Sequence, residues 1–144
     1  MNTYIWRVGT TYLPVLDVSA SAEWYVNHLG AKLTYQDEDK AIINLANQSF
    51  FLVKSKEGET LDFLDEKGNV RFPLTFEVDG LEALEALHKD LADKKVRVGE
   101  IENRGHAGRN FVFQDPNGNL FDVWSELSPV FREKFFDFSV KRFV

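Results

Sequence analysis

The same order of elements occurs twice in this chain, and that repeat constrains its fold more than any other feature. In the first half an apolar run, Tyr12 to Val18, reads as a buried strand. It leads into a helix that Ser19 or Ser21 can cap and that Gly30 stops, with Ala22, Tyr25, Val26 and Leu29 on its apolar face. Three short strands follow at Lys32 to Gln36, Ala41 to Leu45 and Ser49 to Lys54, with turns at Asp37-Glu38-Asp39 and Asn47-Gln48. After a polar stretch, Ser55 to Asn69, the order returns. A strand runs from Phe72 to Val78, then a helix to about Lys94 with Leu81, Leu84, Leu87 and Leu91 on one face. Strands at Val96 to Gly99, Asn110 to Gln114 and Asn119 to Ser125 complete the second half, and Pro116-Asn117-Gly118 makes the last hairpin turn.

An offset of 62 carries Asp17, Ala22, Tyr25 and Leu29 onto Asp79, Leu84, Leu87 and Leu91. An offset of 70 carries Ile43, Asn47, Phe51 and Val53 onto Phe113, Asn117, Phe121 and Val123. The extra length of the second half falls in Glu102 to Gly108. Two βαβββ modules, about 10–55 and 70–126, follow from this agreement. Each alone leaves an open sheet edge and an uncovered face. The fold class is therefore α+β: a single domain over 1–144, with the modules side by side in a curved, mixed eight-stranded sheet whose concave cleft suits a small ligand. Beyond Ser125, Ser128-Pro129 starts a C-terminal helix over about 128–143. Phe131, Phe135, Phe138 and Arg142 share one of its faces, with Phe136 and Val140 adjacent. Plain packing accounts for that stripe better than a dimer contact or a lid.

Composition narrows the function. With 13 Phe, 4 Tyr and 3 Trp in 144 residues, the chain has ample apolar surface for a core. It has no cysteine, which excludes disulfides, thiolate metal sites and thiol catalysis. A net charge of −6 argues against a nucleic-acid partner. No run is long and apolar enough for a membrane span, and the start lacks the pattern of a signal peptide, so a cytoplasmic protein is expected. No nucleophile elbow, phosphate-binding glycine loop or dinucleotide fingerprint is present.

Several segments together carry a family resemblance. They are Leu13-Pro-Val-Leu-Asp-Val18 ahead of a helix with Trp24-Tyr25 and Leu29-Gly30, and the closing Phe113-Gln-Asp-Pro-Asn-Gly-Asn-Leu-Phe-Asp122. Over about Thr10 to Glu126 the chain resembles the glyoxalase/bleomycin-resistance/extradiol-dioxygenase family, the vicinal oxygen chelate superfamily. The resemblance implies the tandem-module fold, commonly a homodimer, and a site on the concave sheet. It leaves the reaction open, since the superfamily spans metal-dependent isomerases, epimerases, dioxygenases and thiol transferases as well as metal-free drug-sequestering proteins. It also implies where a divalent metal would be held: Thr10 or Thr11, Leu52, Pro73 and Asp122. Leu and Pro have no donor atoms and Thr is a poor neutral ligand, so one carboxylate remains where about three donors are needed. His28, His88 and His106 all lie elsewhere. No metal and no cofactor is expected, with weak Mg²⁺ or Ca²⁺ at Asp122 left open.

Strand alternation puts Leu120, Asp122 and Trp124 on one face. A carboxylate beside Trp124 in a shielded cleft has its charged form destabilised, which suits a general acid/base or a cation-binding group. Its alternative is a relic bonded to backbone or to an Arg. Glu77, on the face of Pro73 and Thr75, is a second catalytic candidate, against the plainer reading of a strand Glu paired with a cation. Arg104, His106 and Arg109 lie in one glycine-flanked loop that can gate the cleft and hold an anion, or can simply be solvated. Trp124, Leu52, Arg104, His106 and Arg109 are the expected ligand-binding residues. Tyr4 and Trp6 read as a tail packed on the sheet edge. The leading function is a metal-free small-molecule-binding protein with its ligand in the concave cleft. The alternatives are a lyase, isomerase or dioxygenase-type enzyme with a degenerate or weak metal site, and a structural or partner-binding domain.

Overall fold

The computed structural model describes residues 4–135. In the first module β1 (Thr10–Val15) leads into α1 (Val18–Leu29), followed by β2 (Lys32–Gln36), β3 (Lys40–Leu45) and β4 (Gln48–Lys54). A two-stranded hairpin, β5 (Phe63–Leu64) and β6 (Val70–Arg71), lies within and just beyond the polar stretch where no structure was expected. Asp65 makes its turn, accepting the N–H groups of Lys67 and Asn69. The second module has β7 (Thr75–Glu77), α2 (Leu81–Asp93), β8 (Arg97–Val98), β9 (Asn110–Gln114) and β10 (Leu120–Trp124), and α3 (Pro129–Phe135) follows. Among the described residues no helix is long and apolar enough to cross a membrane.

Hydrogen bonding organises the modules as two four-stranded sheets of the same topology, β1-β4-β3-β2 and β7-β10-β9-β8. In each, the first strand runs parallel to the last. The chain divides into two compact units, Met1–Arg71 with Gln114–Asn119, and Phe72–Phe113 with Leu120–Val144. The hairpin turn between β9 and β10 therefore belongs with the first unit.

The core of each unit follows strand alternation. In the first unit Leu13, Val15, Ala41, Ile43, Phe50 and Leu52 are buried, and α1 closes over this sheet with Val18, Ser21, Ala22 and Tyr25. In the second, Phe111, Phe113, Phe121 and Val123 are buried together with Leu84 and Leu91 of α2. Phe76, Phe113 and Phe121 touch ring to ring, and His88 of α2 sits edge-on to Phe111.

Several expectations change. The cap of α1 is Asp17 rather than Ser19 or Ser21, since its Oδ1 accepts the N–H of Ala20. Gly30 ends the helix as expected, in the left-handed region at φ 72°. Of the helix face, Val26 lies outward at 36% exposure and Val18 and Ser21 take the buried positions. Of the strand expected over 72–78, β7 covers Thr75–Glu77, with flanking backbone hydrogen bonds from Asp122 N to Leu74 O and from Val78 N to Trp124 O. Trp6 is exposed rather than packed on the sheet. Of the C-terminal stripe, Phe136, Phe138, Val140 and Arg142, like the Phe135 side chain, lie outside the described residues.

The repeat offsets also move by one. Helices start at Val18 and Leu81, and Leu13 and Val15 correspond to Phe76 and Val78, an offset of 63. Buried Phe50 and Leu52 correspond to buried Phe121 and Val123, an offset of 71. Paired strands confirm the match. Tyr12 lies opposite Phe51 in the first sheet, and Thr75 opposite Asp122 in the second. The counterpart of Asp122 is thus Phe51. A one-residue slip reverses the face of every side chain on a strand.

Candidate functional site

Asp122 lies in the middle of β10 between Phe121 and Val123, whose side chains fill the α2 side of the sheet. Its carboxylate therefore projects from the opposite face, yet the residue is only 3% exposed. A charge there has to be compensated by hydrogen bonds and a counter-ion. Three side chains do so. Thr75 Oγ1, one strand over, donates to Oδ2 at 2.9 Å, and Asn110 Nδ2 of β9 donates to the same oxygen at 3.0 Å. Arg104 Nη1 donates to Oδ1 at 3.0 Å, forming an ion pair.

Arg104 is held on its other side by Glu102, whose Oε1 accepts from Nε at 3.2 Å and from Nη2 at 3.1 Å. The guanidinium lies 5.9 Å from the centre of the Phe72 ring, a cation–π distance. Its side chain keeps 29% of its surface open, against 4% for Asp122. The segment carrying it is anchored where Glu102 pairs with Asn110 through reciprocal backbone hydrogen bonds.

Asn110 was not singled out from the sequence. The available signal was its place in Asn-Phe-Val-Phe-Gln, where alternation sets it opposite the buried Phe111 and Phe113. Its orientation is set chemically, because only the amide nitrogen can donate to Asp122. That leaves its Oδ1 buried with no hydrogen-bond partner.

The loop expected to gate the site is docked on the end of β10. Trp124 Nε1 donates to Ala107 O at 2.9 Å, and Arg109 N donates to Ser125 Oγ at 2.8 Å. His106 sits edge-on to the Trp124 ring and is tied by Nδ1 to Ala107 O. Gly108 permits the contact. Its φ is +78°, and a Cβ there would come within 2.6 Å of Ser125 Oγ and 2.9 Å of Trp124 Nε1. Arg109 Nη1 turns back to Gly108 O. The structure thus brings Arg104 to Asp122 and His106 to Trp124, while Arg109 serves the loop itself.

Two expected site residues have other surroundings. Glu77 binds Ser128 through both carboxylate oxygens, taking its N–H at 2.8 Å and its hydroxyl. It ties β7 to the residue before α3. Leu52 is 0% exposed among the α1-side core residues, so it does not line the face equivalent to that of Asp122. Phe51 does, and its ring stands edge-on to Tyr12 at 5.1 Å.

The metal positions implied by the resemblance can now be tested by their chemistry. Those positions are Thr10 or Thr11, Leu52, Pro73 and Asp122, and the corrected register puts Phe51 in the place of Leu52. Only Asp122 is a good donor, and both its oxygens are engaged, one by a permanent cation. The residues do not fit a transition metal. Among the described residues no cluster of three or more His, Asp or Glu side chains is placed to bind one. The imidazoles of His28 and His88 are bonded to Trp24 O and Gly99 O. A cavity of about 610 Å³ in the first unit is lined by Asp17, Asp37, Glu38 and Lys54 among others. Two of its carboxylates are in use, Asp17 as the α1 cap and Asp37 by Lys40 and Tyr35, which hold Asp37 well below the usual carboxylate range.

The model of the Glyoxalase/Bleomycin resistance protein/Dioxygenase superfamily matches residues 7–123. No functionally curated protein matches the sequence significantly. Solved structures share the fold at low identity. Lactoylglutathione lyase from Agrobacterium tumefaciens is 14% identical, with a TM-score of 0.66 over 85% of this chain and 95% of that one. The fosfomycin resistance protein FosX from Listeria monocytogenes is 17% identical, with a TM-score of 0.68 over 85% and 95%. TnmS3, an antibiotic-binding protein from Streptomyces sp. CB03234, is 22% identical, with a TM-score of 0.66 over 85% and 98%.

Proposed function

The chain belongs to the Glyoxalase/Bleomycin resistance protein/Dioxygenase superfamily, and from that premise we propose that it binds a small organic molecule without a transition metal, at the sheet face around Asp122, Arg104 and Trp124. One observation carries the reading. At the only position of the implied metal site with a strong donor, Asp122 holds an arginine at 3.0 Å. A cation built into the chain occupies the coordination a metal would need, so the family's metal chemistry has no purchase there. What remains is the binding half of the family's repertoire, which the antibiotic-binding relative TnmS3 exemplifies.

A thermal-shift screen of drug-sized organic compounds tests the reading. A binder present at 100 times its Kd raises stability by about 2.7 kcal/mol. Hits should disappear in Trp124→Ala and in Asp122→Asn with Arg104→Ala combined. Elemental analysis should find no stoichiometric zinc, iron, manganese or nickel, and chelator should leave the melting temperature unchanged. A one-to-one transition metal would overturn the proposal.

The same reading takes the protein to be a cytoplasmic homodimer. Supporting the dimer is β2, which ends its sheet with all five residues exposed, Leu33 at 42% and Tyr35 at 47% among them. Such an edge invites pairing. A monomer by light scattering at tens of micromolar would refute it.

A further inference from the structure

Arg104 spends only part of its hydrogen-bonding capacity on the protein. A guanidinium carries five N–H donors in a fixed planar fork. Nε and one hydrogen of Nη2 go to Glu102, and one hydrogen of Nη1 goes to Asp122. One N–H on each terminal nitrogen is left, on a side chain that keeps 29% of its surface open. Its charge, by contrast, is already answered. Glu102 and Asp122 contribute two negative charges against one positive, so the cluster repels anions while still offering donors.

The surroundings are apolar and aromatic. Phe72 lies beneath the guanidinium. Val112 alternates with Phe111 and Phe113, on the Asn110 side of β9, and is partly exposed. Trp124, also partly open, has its indole N–H committed to Ala107 O, so it presents only ring surface to a ligand. Asp122, with three donors on its buried oxygens, has little left to give.

From this balance we infer that Arg104 is the specificity element of the site, and that it selects uncharged, ring-containing molecules bearing a carbonyl-type oxygen, which takes the two remaining N–H groups. Carboxylates and phosphates, the usual partners of arginine, are selected against by the net negative charge of the cluster. Arg104 does for a ligand oxygen what a metal does elsewhere: it presents fixed positive donors without needing to be recruited. The inference rests on the ligand-binding reading above and deepens it by naming the ligand class.

The test uses matched probes: chromone (uncharged, with a carbonyl), naphthalene (similar size, no acceptor), 1-naphthoate (anionic) and 1-naphthylmethylamine (cationic). Each is titrated into the whole protein, and affinity is read from the indole and backbone N–H signals in NMR. Chromone is expected to bind at least about tenfold more tightly than the other three, consistent with one or two net hydrogen bonds. Arg104→Lys keeps a positive charge beside Asp122, so the fold is retained, but it removes the planar fork. It should bring chromone to within about twofold of naphthalene and leave naphthalene unchanged. Tightest binding by naphthoate or the amine overturns the inference, as does a chromone preference that survives in Arg104→Lys. Equal binding of chromone and naphthalene overturns it while leaving the small-molecule site standing. Binding of none of the four in wild type removes both.

Discussion

Two aspartates lie seven positions apart in the sequence, both nearly inaccessible, and they are compensated in opposite ways. Asp115, 4% exposed, is served by neutral donors alone. It takes the Tyr25 hydroxyl at 2.6 Å, the N–H groups of Asn117 and Asn119 at 2.9 Å, and Asn119 Nδ2 at 2.9 Å. Asp122, 3% exposed, takes two neutral donors and a cation. In the Asp115 cluster every group is also spent on the fold. Asn119 Nδ2 reaches Pro14 O, its Oδ1 takes the N–H of Leu61, and Asn117 bonds Leu16 N and Ser21 Oγ. The Asp122 cluster leaves donors over on Arg104 and an acceptor over on Asn110. A closed network is what a structural joint needs, and an open one is what a binding site needs. The Asp-Pro-Asn-Gly-Asn signature is therefore chiefly a folding device, and Asp122, in the middle of the strand that follows it, is the residue with surplus chemistry nearby.

The largest test of that contrast is Asp115→Ala. It leaves the Tyr25 hydroxyl, the Asn119 amide and two backbone N–H groups without their acceptor, at about 1–3 kcal/mol for each group left unsatisfied. Relaxation and water will recover part of this, so a loss of roughly 3–5 kcal/mol in urea melts is expected. A loss under about 1 kcal/mol would show that the turn is not the joint it is taken to be.

Arg104→Ala comes next. Removing the partner of a buried charge costs about 3–5 kcal/mol, but Arg104 is partly open to solvent, so about 2 kcal/mol is expected. The diagnostic is the double variant. Asp122→Asn removes the stranded charge, so Arg104→Ala with Asp122→Asn should be at least as stable as Arg104→Ala alone. A strictly additive double would mean the pair is not coupled.

How much of this was legible in the sequence differs between the two clusters. Periodicity gave both helices, the α1 stop at Gly30 and most strands to within a residue or two, because local spacing carries that information. The turn signature and alternation placed Asp122 on its own face with Trp124. The partners were beyond reach, since Asp115 meets Tyr25 across 90 positions and Glu77 meets Ser128 across 51. An Arg was named as one way Asp122 could be satisfied, but nothing local distinguishes Arg104 from Arg109, which stand at the two ends of the same glycine-containing loop. Leu52 failed for a different reason. Matching Phe51 to Phe121 is attractive on residue type alone, yet Phe50 is the buried one of that pair. Two adjacent phenylalanines hide a one-residue slip, and only the pairing register resolves it.

Gly108→Ala sharpens the open side. A Cβ at that left-handed position meets Ser125 Oγ and Trp124 Nε1 well inside contact distance. The loop has to lift, with a stability loss of about 1–3 kcal/mol. The Trp124 indole N–H signal should move toward its solvent-exposed position in NMR, while Arg104, nearer the Glu102 anchor, keeps its pairing. An unshifted indole would show that the Ala107 contact does not hold the loop.

The smallest effect separates the clusters by pH. Burial pushes the Tyr25 phenol well above its ordinary value, and the charge of Asp115 and their hydrogen bond push it further the same way. Ionisation of Tyr25 is thus harder in the folded chain than in the unfolded one, where it occurs near about pH 10. The sign follows from linkage. The stabilisation is fully present below that unfolded value and is lost as pH rises toward and through the folded one, because the unfolded chain releases the proton first. Tyr25→Phe should cost about 1 kcal/mol at neutral pH, the net value of one hydrogen bond, since Asp115 keeps its other donors. Above about pH 10 the variant should lose stability less steeply than wild type, and the two curves should converge. Urea melts at pH 7 and at pH 10 to 11 measure this directly. Parallel curves would mean that Tyr25 ionises no more reluctantly in the fold than outside it, and that the Asp115 network is open to solvent after all.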